Sequence, residues 1–328
     1  MLGVKPKWPV NIDALQRASA PDPARANDAI KRAFTNLDAE IMDSAWKAVA
    51  SGVYPADYES VMAALDPATA GSCALLSIYD TARSTLRVAC TGDSRAVLGR
   101  YDPAAGKYTD KPMSKDQNGF NDLERERINS KHPGETDPFD GDRFMGYAMT
   151  RAFGDNRLKW SKLQLKEAQE KFRRNGPRWD YETPPYMTAE PVVTETDVNT
   201  GPRGDFLVMA SDGVWDHLSS EDAVECVARW INWMKTGKRT TSTPKRVSPN
   251  TPPVSCWANP EWKTKPEHFV VEDRNAAVHL IKNAFGGSRR DLFCNVMSVC
   301  PPTSRCVRDD ATVQIIFFGD TDFQPGPL

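Results

Sequence analysis

The chain has 328 residues, enough for one large domain or two small ones, and 40% of them are apolar, enough to bury a sizeable core. Its 42 Lys and Arg nearly balance its 44 Asp and Glu, so no whole-chain field favours nucleic acid or an anionic membrane surface. No run approaches 18 uninterrupted apolar residues, which argues against a membrane-spanning helix, and the odd set of seven cysteines without Cys-x-x-Cys spacing reads as a reducing compartment.

Residues 1–26 are rich in Pro, Ala and Asp without periodicity and read as a surface arm. They resemble neither a secretory signal nor an amphipathic mitochondrial leader, so the chain is cytoplasmic unless its address lies elsewhere. From Asn27 to about Val49 the spacing of Ile30, Ala33, Phe34, Leu37, Ile41 and Ala45 predicts an amphipathic helix with Asp and Lys on its outer side. Ala74–Tyr79, Thr85–Cys90 and Ala96–Arg100 then read as three strands of one antiparallel meander, with Asp93 at the second turn. A charged helix is expected over Asn121–Asn129. The run of Lys and Arg from Leu158 to Arg178, Lys159 included, reads as a solvated helix face.

Phe206–Ala210 has the pattern of a buried strand stopped by the polar turn Ser211-Asp-Gly-Val-Trp-Asp216. Ser219 and Asp222 form the signature that opens a helix, and a long Pro/Thr/Lys-rich insertion is expected at about 235–268. A helix over Asn275–Phe285 is stopped by Gly286-Gly287, and Thr312–Phe318 is a last strand entered from Arg308-Asp-Asp310. The order of elements has no regular alternation of strand and helix and predicts the α+β class. One domain over 27–320 with a tail at 321–328 is the expected organisation.

Asp93, the pair Asp212 and Asp216, and the pair Asp309 and Asp310 share one placement, each beside an apolar strand at a turn. Carboxylates at strand ends can converge on one rim of a sheet, where hard oxygen donors suit Mg²⁺ or Mn²⁺, and a pair of such ions suits phosphate hydrolysis. No phosphate-binding Gly-rich loop, serine elbow or paired metal-spaced histidines compete with this reading. His279 falls inside a helix and reads as structural. His217, directly after Asp216, is the histidine held open for a role near the site.

The ordered set Gly71-Ser-Cys-Ala-Leu, Thr91-Gly-Asp-Ser-Arg-Ala96, Thr150-Arg-Ala-Phe-Gly-Asp155, Ser211-Asp-Gly-Val-Trp-Asp216 and Arg308-Asp-Asp-Ala-Thr-Val313 resembles the consecutive motifs of the PPM (type 2C) metal-dependent protein serine/threonine phosphatases. Lys159-Trp-Ser161, Thr183–Pro191 and Asn275–Ile281 are similar to the pyruvate dehydrogenase phosphatase branch. The resemblance implies a four-layer α-β-β-α sandwich of two antiparallel sheets carrying two or more Mg²⁺ or Mn²⁺ ions. It also implies a metal-bound water that attacks phosphoserine or phosphothreonine without a covalent enzyme intermediate. By motif, Asp212 and Asp309 are ligands of the main metal site, Asp93 and Asp216 hold a further ion, and Gly213 lets the backbone approach. Arg151, Asp155 and Asp310 are supporting residues.

The implied partner is a phosphoprotein, with pyruvate dehydrogenase and a mitochondrial location following from the branch. The family's Asp-Gly-His-Gly-Gly segment, which the resemblance implies supplies a bridging aspartate, does not precede Asn27, so an N-terminally incomplete fold and a weakened metal pair are expected. Gln117 stands where the family often has histidine. The alternative reading is a non-catalytic phosphatase-like module that binds a phosphoprotein or a regulatory partner.

Overall fold

A computed structural model describes residues 23–135, 137–174, 176–177, 182–238 and 263–319. Residues 1–22, Cys256 with the centre of the expected insertion, and the tail from 320 lie outside them. Helix α1 (Pro23–Ser51) buries Ala26, Ile30, Phe34, Met42, Ala45 and Val49 at steps of three, four and eight residues, and the step of eight is divided by Asp38. The buried stripe is thus rotated from the expected one, and Asp38 lies within it rather than on the outer side. Helix α2 (Tyr58–Thr69) was not anticipated; Val61, Leu65 and Ala68 give it an inner face despite Pro67.

The strands follow: β1 (Gly71–Ser72), β2 (Ala74–Asp80), β3 (Thr85–Thr91), β4 (Arg95–Asp102) and β5 (Lys107–Pro112). After helix α3 (Asp122–Lys131) come the short β6 (Phe139–Asp140), β7 (Arg143–Phe144) and β8 (Phe153–Gly154). Helix α4 (Lys162–Phe172) opens with a capping box in which Ser161 Oγ accepts from the Gln164 N–H, and it buries Leu165, Ala168 and Phe172. Strands β9 (Val192–Asp197) and β10 (Phe206–Ala210) lead to the short helix α5 (Asp212–Trp215).

Helix α6 (Ser220–Thr236) starts at Ser219, whose Oγ accepts the Asp222 N–H, and ends at Gly237 with φ of 68°, a conformation glycine adopts without a Cβ penalty. Helix α7 (Ala276–Ala284) is capped by Asn275, helix α8 (Arg290–Ser298) was not anticipated, and β11 (Val313–Phe317) is the last strand. Helices with antiparallel sheets make this the α+β class expected from the sequence. Among the described residues no helix is long and apolar enough to cross a membrane.

The chain divides into two compact units. The first comprises 1–76, 89–92 and 116–193, and its core gathers Met42, Val49, Leu65, Phe144, Trp160 and Phe172. The second comprises 77–88, 93–115 and 194–328 and holds the four-stranded sheet β11-β10-β4-β5. Helices α6 and α7 supply its core with Val227, Trp230 and Leu280 beside Phe206 and Val208 of the sheet. Strands β2, β3 and β9 form a separate three-stranded sheet in that order.

The single meander expected from β2, β3 and β4 is therefore corrected. Strand β4 pairs instead with β5 and β10, because pairing is decided by which long-range partner completes the buried face rather than by nearness in sequence.

His279 is structural, as expected. It is fully buried, its Nε2 lies 3.1 Å from the Cys226 carbonyl, and Asn283 Nδ2 lies 3.2 Å from its Nδ1. These partners assign the proton to Nε2, which donates to the carbonyl, and make Nδ1 the acceptor. Burial pushes the imidazole down to about 4. The unfolded chain then takes up a proton near pH 6.5 that the folded chain refuses until about pH 4. Stability from this residue is expected to be complete above pH 6.5 and to fall by on the order of 2 to 3 kcal/mol across that window. Urea denaturation of wild type and His279→Gln between pH 7 and pH 4 checks this: the variant is expected to be less stable at pH 7 but to lack that part of the slope.

Candidate functional site

The register of the four-stranded sheet brings the predicted acids together. Ala210, at the carboxyl end of β10, pairs with Arg95 at the start of β4 and with Val313 at the start of β11. The turn that leaves β10 and the turns that enter β4 and β11 therefore occupy one rim, carrying Asp212 and Asp216, Asp93, and Asp309 respectively. Ser211 fastens that rim. Its Oγ donates to the Asp310 carbonyl at 2.9 Å and accepts the Thr312 N–H at 2.9 Å, while its own N–H donates to the Thr312 carbonyl at 3.1 Å.

Gly213 has no room for a side chain, because a Cβ there would stand 2.6 Å from the Asp310 carbonyl oxygen and 3.1 Å from the Asp309 backbone. What comes close to Gly213 is the backbone of the Asp309-Asp310 segment. Asp310 contributes through its backbone: its N–H donates to Asp309 Oδ1 at 2.8 Å and its carbonyl receives Ser211. Trp215 closes the turn from below, its indole N–H donating to the Ala210 carbonyl at 2.9 Å, with the Arg95 guanidinium 5.0 Å from its ring centre.

The electrostatics show that the four carboxylates share a field. Burial, then the negative charges of Asp93, Asp309 and Asp216, push the Asp212 carboxyl up to about 6. Asp216 is raised as well, by desolvation first and then by Asp309 and Asp93, against the opposing pull of Lys263 and Arg95. Mutual repulsion of this kind is what a divalent cation relieves, and an all-oxygen donor set suits Mg²⁺ or Mn²⁺. Among the described residues no three acidic, histidine or cysteine side chains stand close enough to enclose an ion. The donors fit such an ion in kind, as oxygen ligands whose mutual repulsion a divalent charge would relieve.

Arg151 and Asp155 belong to the first unit, where both are engaged in its own structure. Arg151 is paired with the buried Glu124, its Nη2 2.6 Å from Oε1, and its Nη1 donates to the Glu190 carbonyl at 2.6 Å. Thr150 Oγ1 donates to Glu124 at 2.8 Å and Arg127 reaches the same carboxylate at 2.9 Å. Asp155 is 6% exposed and pushed up to about 6, by burial first, with Lys159 pulling down and Asp38 pushing up.

Sequence reasoning missed two members of this group. Lys159, expected on a solvated face, is buried with its Nζ 2.7 Å from both oxygens of Asp38 and 2.7 Å from the Ala152 carbonyl. Asp38 also accepts the Gly154 N–H at 2.9 Å. The available signal was position: Asp38 lies four residues from both Phe34 and Met42, inside the buried stripe of α1.

Gln117 also has a definite role in the first unit. Its side-chain carbonyl accepts the Gly92 N–H at 2.6 Å and its amide donates to the Cys90 carbonyl at 3.0 Å, clamping the turn that immediately precedes Asp93. Gly92 takes φ of 104°, and a Cβ there would strike Cys73 Sγ. His217 is 5% exposed and packs edge-on to Phe285 with ring centres 5.7 Å apart, while its carbonyl accepts the Thr264 N–H. A cavity of about 390 Å³ in the first unit, bordered by Asp38, Trp46, Arg127, Lys159, Trp160 and Tyr186, contains none of the rim acids in its lining.

Residues 8–252 match the protein phosphatase 2C family. A Schizosaccharomyces pombe protein named as a protein phosphatase 2C homolog is 35% identical over 324 residues, covering 95% of this chain and 68% of its own. The mitochondrial pyruvate dehydrogenase (acetyl-transferring) phosphatase 1 of Saccharomyces cerevisiae is 34% identical over 326 residues, covering 92% of this chain and 55% of its own. The human mitochondrial phosphatase 2 of the same name is 33% identical over 253 residues, covering 71% of this chain. The chain spans about half the length of those two pyruvate dehydrogenase phosphatases, 55% and 45% respectively. With most of its length matched and the acidic rim assembled from the motif residues, the chain belongs to the protein phosphatase 2C family of protein serine/threonine phosphatases.

Proposed function

We propose that the chain hydrolyses phosphoserine and phosphothreonine in proteins with Mg²⁺ or Mn²⁺, and that the pyruvate dehydrogenase complex in mitochondria is its substrate. The observation that carries the reading is the convergence of Asp93, Asp212, Asp216 and Asp309 on one rim, where burial first and then the three other carboxylates raise Asp212, which a resident cation would return to its charged form. Similarity to the yeast and human enzymes named as pyruvate dehydrogenase phosphatases supports the choice of substrate.

Asp212 and Asp309 would hold the principal ion, and Asp93 with Asp216 a further, weaker one. When bound, such ions supply Lewis acidity toward the phosphoryl oxygens and lower the pKa of water. The chain's own residues supply the placement. Ser211 fixes the separation of the two turns that bear Asp212 and Asp309, and Gly213 admits the Asp309-Asp310 backbone beside them.

The test is release of phosphate from a phosphoserine peptide by the 328-residue chain with Mn²⁺, with EDTA, and with the Asp212→Asn variant. Turnover is expected with Mn²⁺, none with EDTA, and a loss of about tenfold or more in Asp212→Asn. Turnover that ignores both EDTA and the substitution overturns the reading. The second reading is a phosphoprotein-binding module without catalysis. Phosphopeptide binding by folded protein without any turnover would establish it.

A further inference from the structure

The acidic rim has cations of its own, and they are held very differently. Arg95 belongs to β4, lies over Trp215 and donates to Ser220 Oγ at 3.3 Å. Arg305 lies on the single turn Thr303–Cys306, its side chain is 78% exposed, and its Nη1 is 3.3 Å from Asp309 Oδ1. That same oxygen accepts the Asp310 N–H at 2.8 Å, so the fixed amide and the exposed guanidinium share one acceptor.

We propose that Arg305, which contacts Asp309 at 3.3 Å, is the phosphate-binding cation of this site and would be released toward substrate when a divalent ion takes that carboxylate. The inference rests on the phosphatase reading above and adds to it the residue that recognises the phosphomonoester dianion. Two divalent ions would balance the four carboxylates of this rim but leave the dianion's own charge unmatched, and a guanidinium at the edge would offset it.

Arg305 has the properties required. An exposed ion pair between residues four apart contributes little, so its release costs little. A side chain so exposed is held by few packing contacts and can be redirected. The guanidinium presents parallel N–H donors that match two phosphate oxygens, which a lysine ammonium does not. Arg305 and a divalent ion are also competitors for the same carboxylate, so the two roles of the side chain are linked.

Titration calorimetry on the full 328-residue chain, R305A and R305K tests the assignment, first with Mn²⁺ alone and then with inorganic phosphate added to the Mn²⁺-saturated proteins. R305A is expected to bind Mn²⁺ roughly two- to fivefold more tightly than wild type, because the competing charge is gone. It is expected to bind phosphate about tenfold or more weakly, with R305K between the two. Equal phosphate affinity in wild type and R305A overturns the assignment of Arg305 and leaves the phosphatase reading intact. Unchanged or weaker Mn²⁺ binding in R305A overturns the resting contact on Asp309. A wild-type chain that takes up no Mn²⁺ overturns the phosphatase reading and this inference together.

Discussion

Replacing Glu124 with alanine is expected to destabilise the protein by about 3 to 5 kcal/mol, the largest loss from any single substitution considered, measured as a shift in the urea midpoint at pH 7. The carboxylate is 3% exposed and serves Arg151, Arg127 and Thr150 at once. Removing it strands two guanidinium groups whose side chains are only 10% and 17% exposed, leaving them backbone carbonyls at Glu190 and Thr150 in place of a paired carboxylate. Burial by itself would raise Glu124; the hydrogen bonds from Arg151 and the charge of Arg127 overcome that and bring it down to about 2.

A depressed carboxyl contributes stability that is fully present above its unfolded value of 4.5 and is lost as pH falls through about 2. Glu124→Gln, which keeps the shape and part of the hydrogen bonding, is expected to lose less at pH 7 and to remove this acid-limb slope. Wild-type and Glu124→Ala midpoints that coincide at pH 7 would show that the two arginines find other partners.

The second large effect is expected at Lys159→Met. Asp38 would lose the ammonium that meets both of its oxygens, leaving a buried carboxylate beside Asp155, which is itself already raised to about 6. A loss of about 3 kcal/mol or more is expected for the single change. The double variant Asp38→Asn with Lys159→Met is expected to recover part of it, since a neutral amide can still accept the Gly154 N–H without an uncompensated charge. Additive losses in the two single variants and the double would show that the pair is not coupled.

These two networks also mark the limit of what the sequence made legible. The five motifs and the placing of Asp93, Asp212, Asp216 and Asp309 at strand ends were readable because a buried strand that stops at a polar turn leaves a strong local pattern. The convergence of three of those turns on one rim follows from the pairing of Ala210 with Arg95 and Val313, and no local pattern specifies that register. For the same reason β4 was grouped with β2 and β3, its neighbours in the chain, rather than with β10.

Lys159 and Asp38 escaped because a charge is by default solvated, and only the partner's position reveals the exception. Helix α2 went unread although Val61, Leu65 and Ala68 carry the period, since Pro67 within it is an internal breaker. Arg151, expected as a supporting residue, pairs with Glu124 in the first unit, and Asp155 lies near Lys159 and Asp38; neither neighbourhood could be named from spacing.

The rim has a consequence for how the chain folds. Its acids come from three segments far apart in sequence, and they meet only after β4, β10 and β11 have found their register. Closing such distant contacts is the slow, high-contact-order part of forming a sheet. A chain with β4 and β10 paired but β11 not yet docked would carry Asp309 apart from Asp93, Asp212 and Asp216. Affinity for divalent ions would then report on completion of the sheet, and by mass action those ions would hold the chain in the state where β11 is docked.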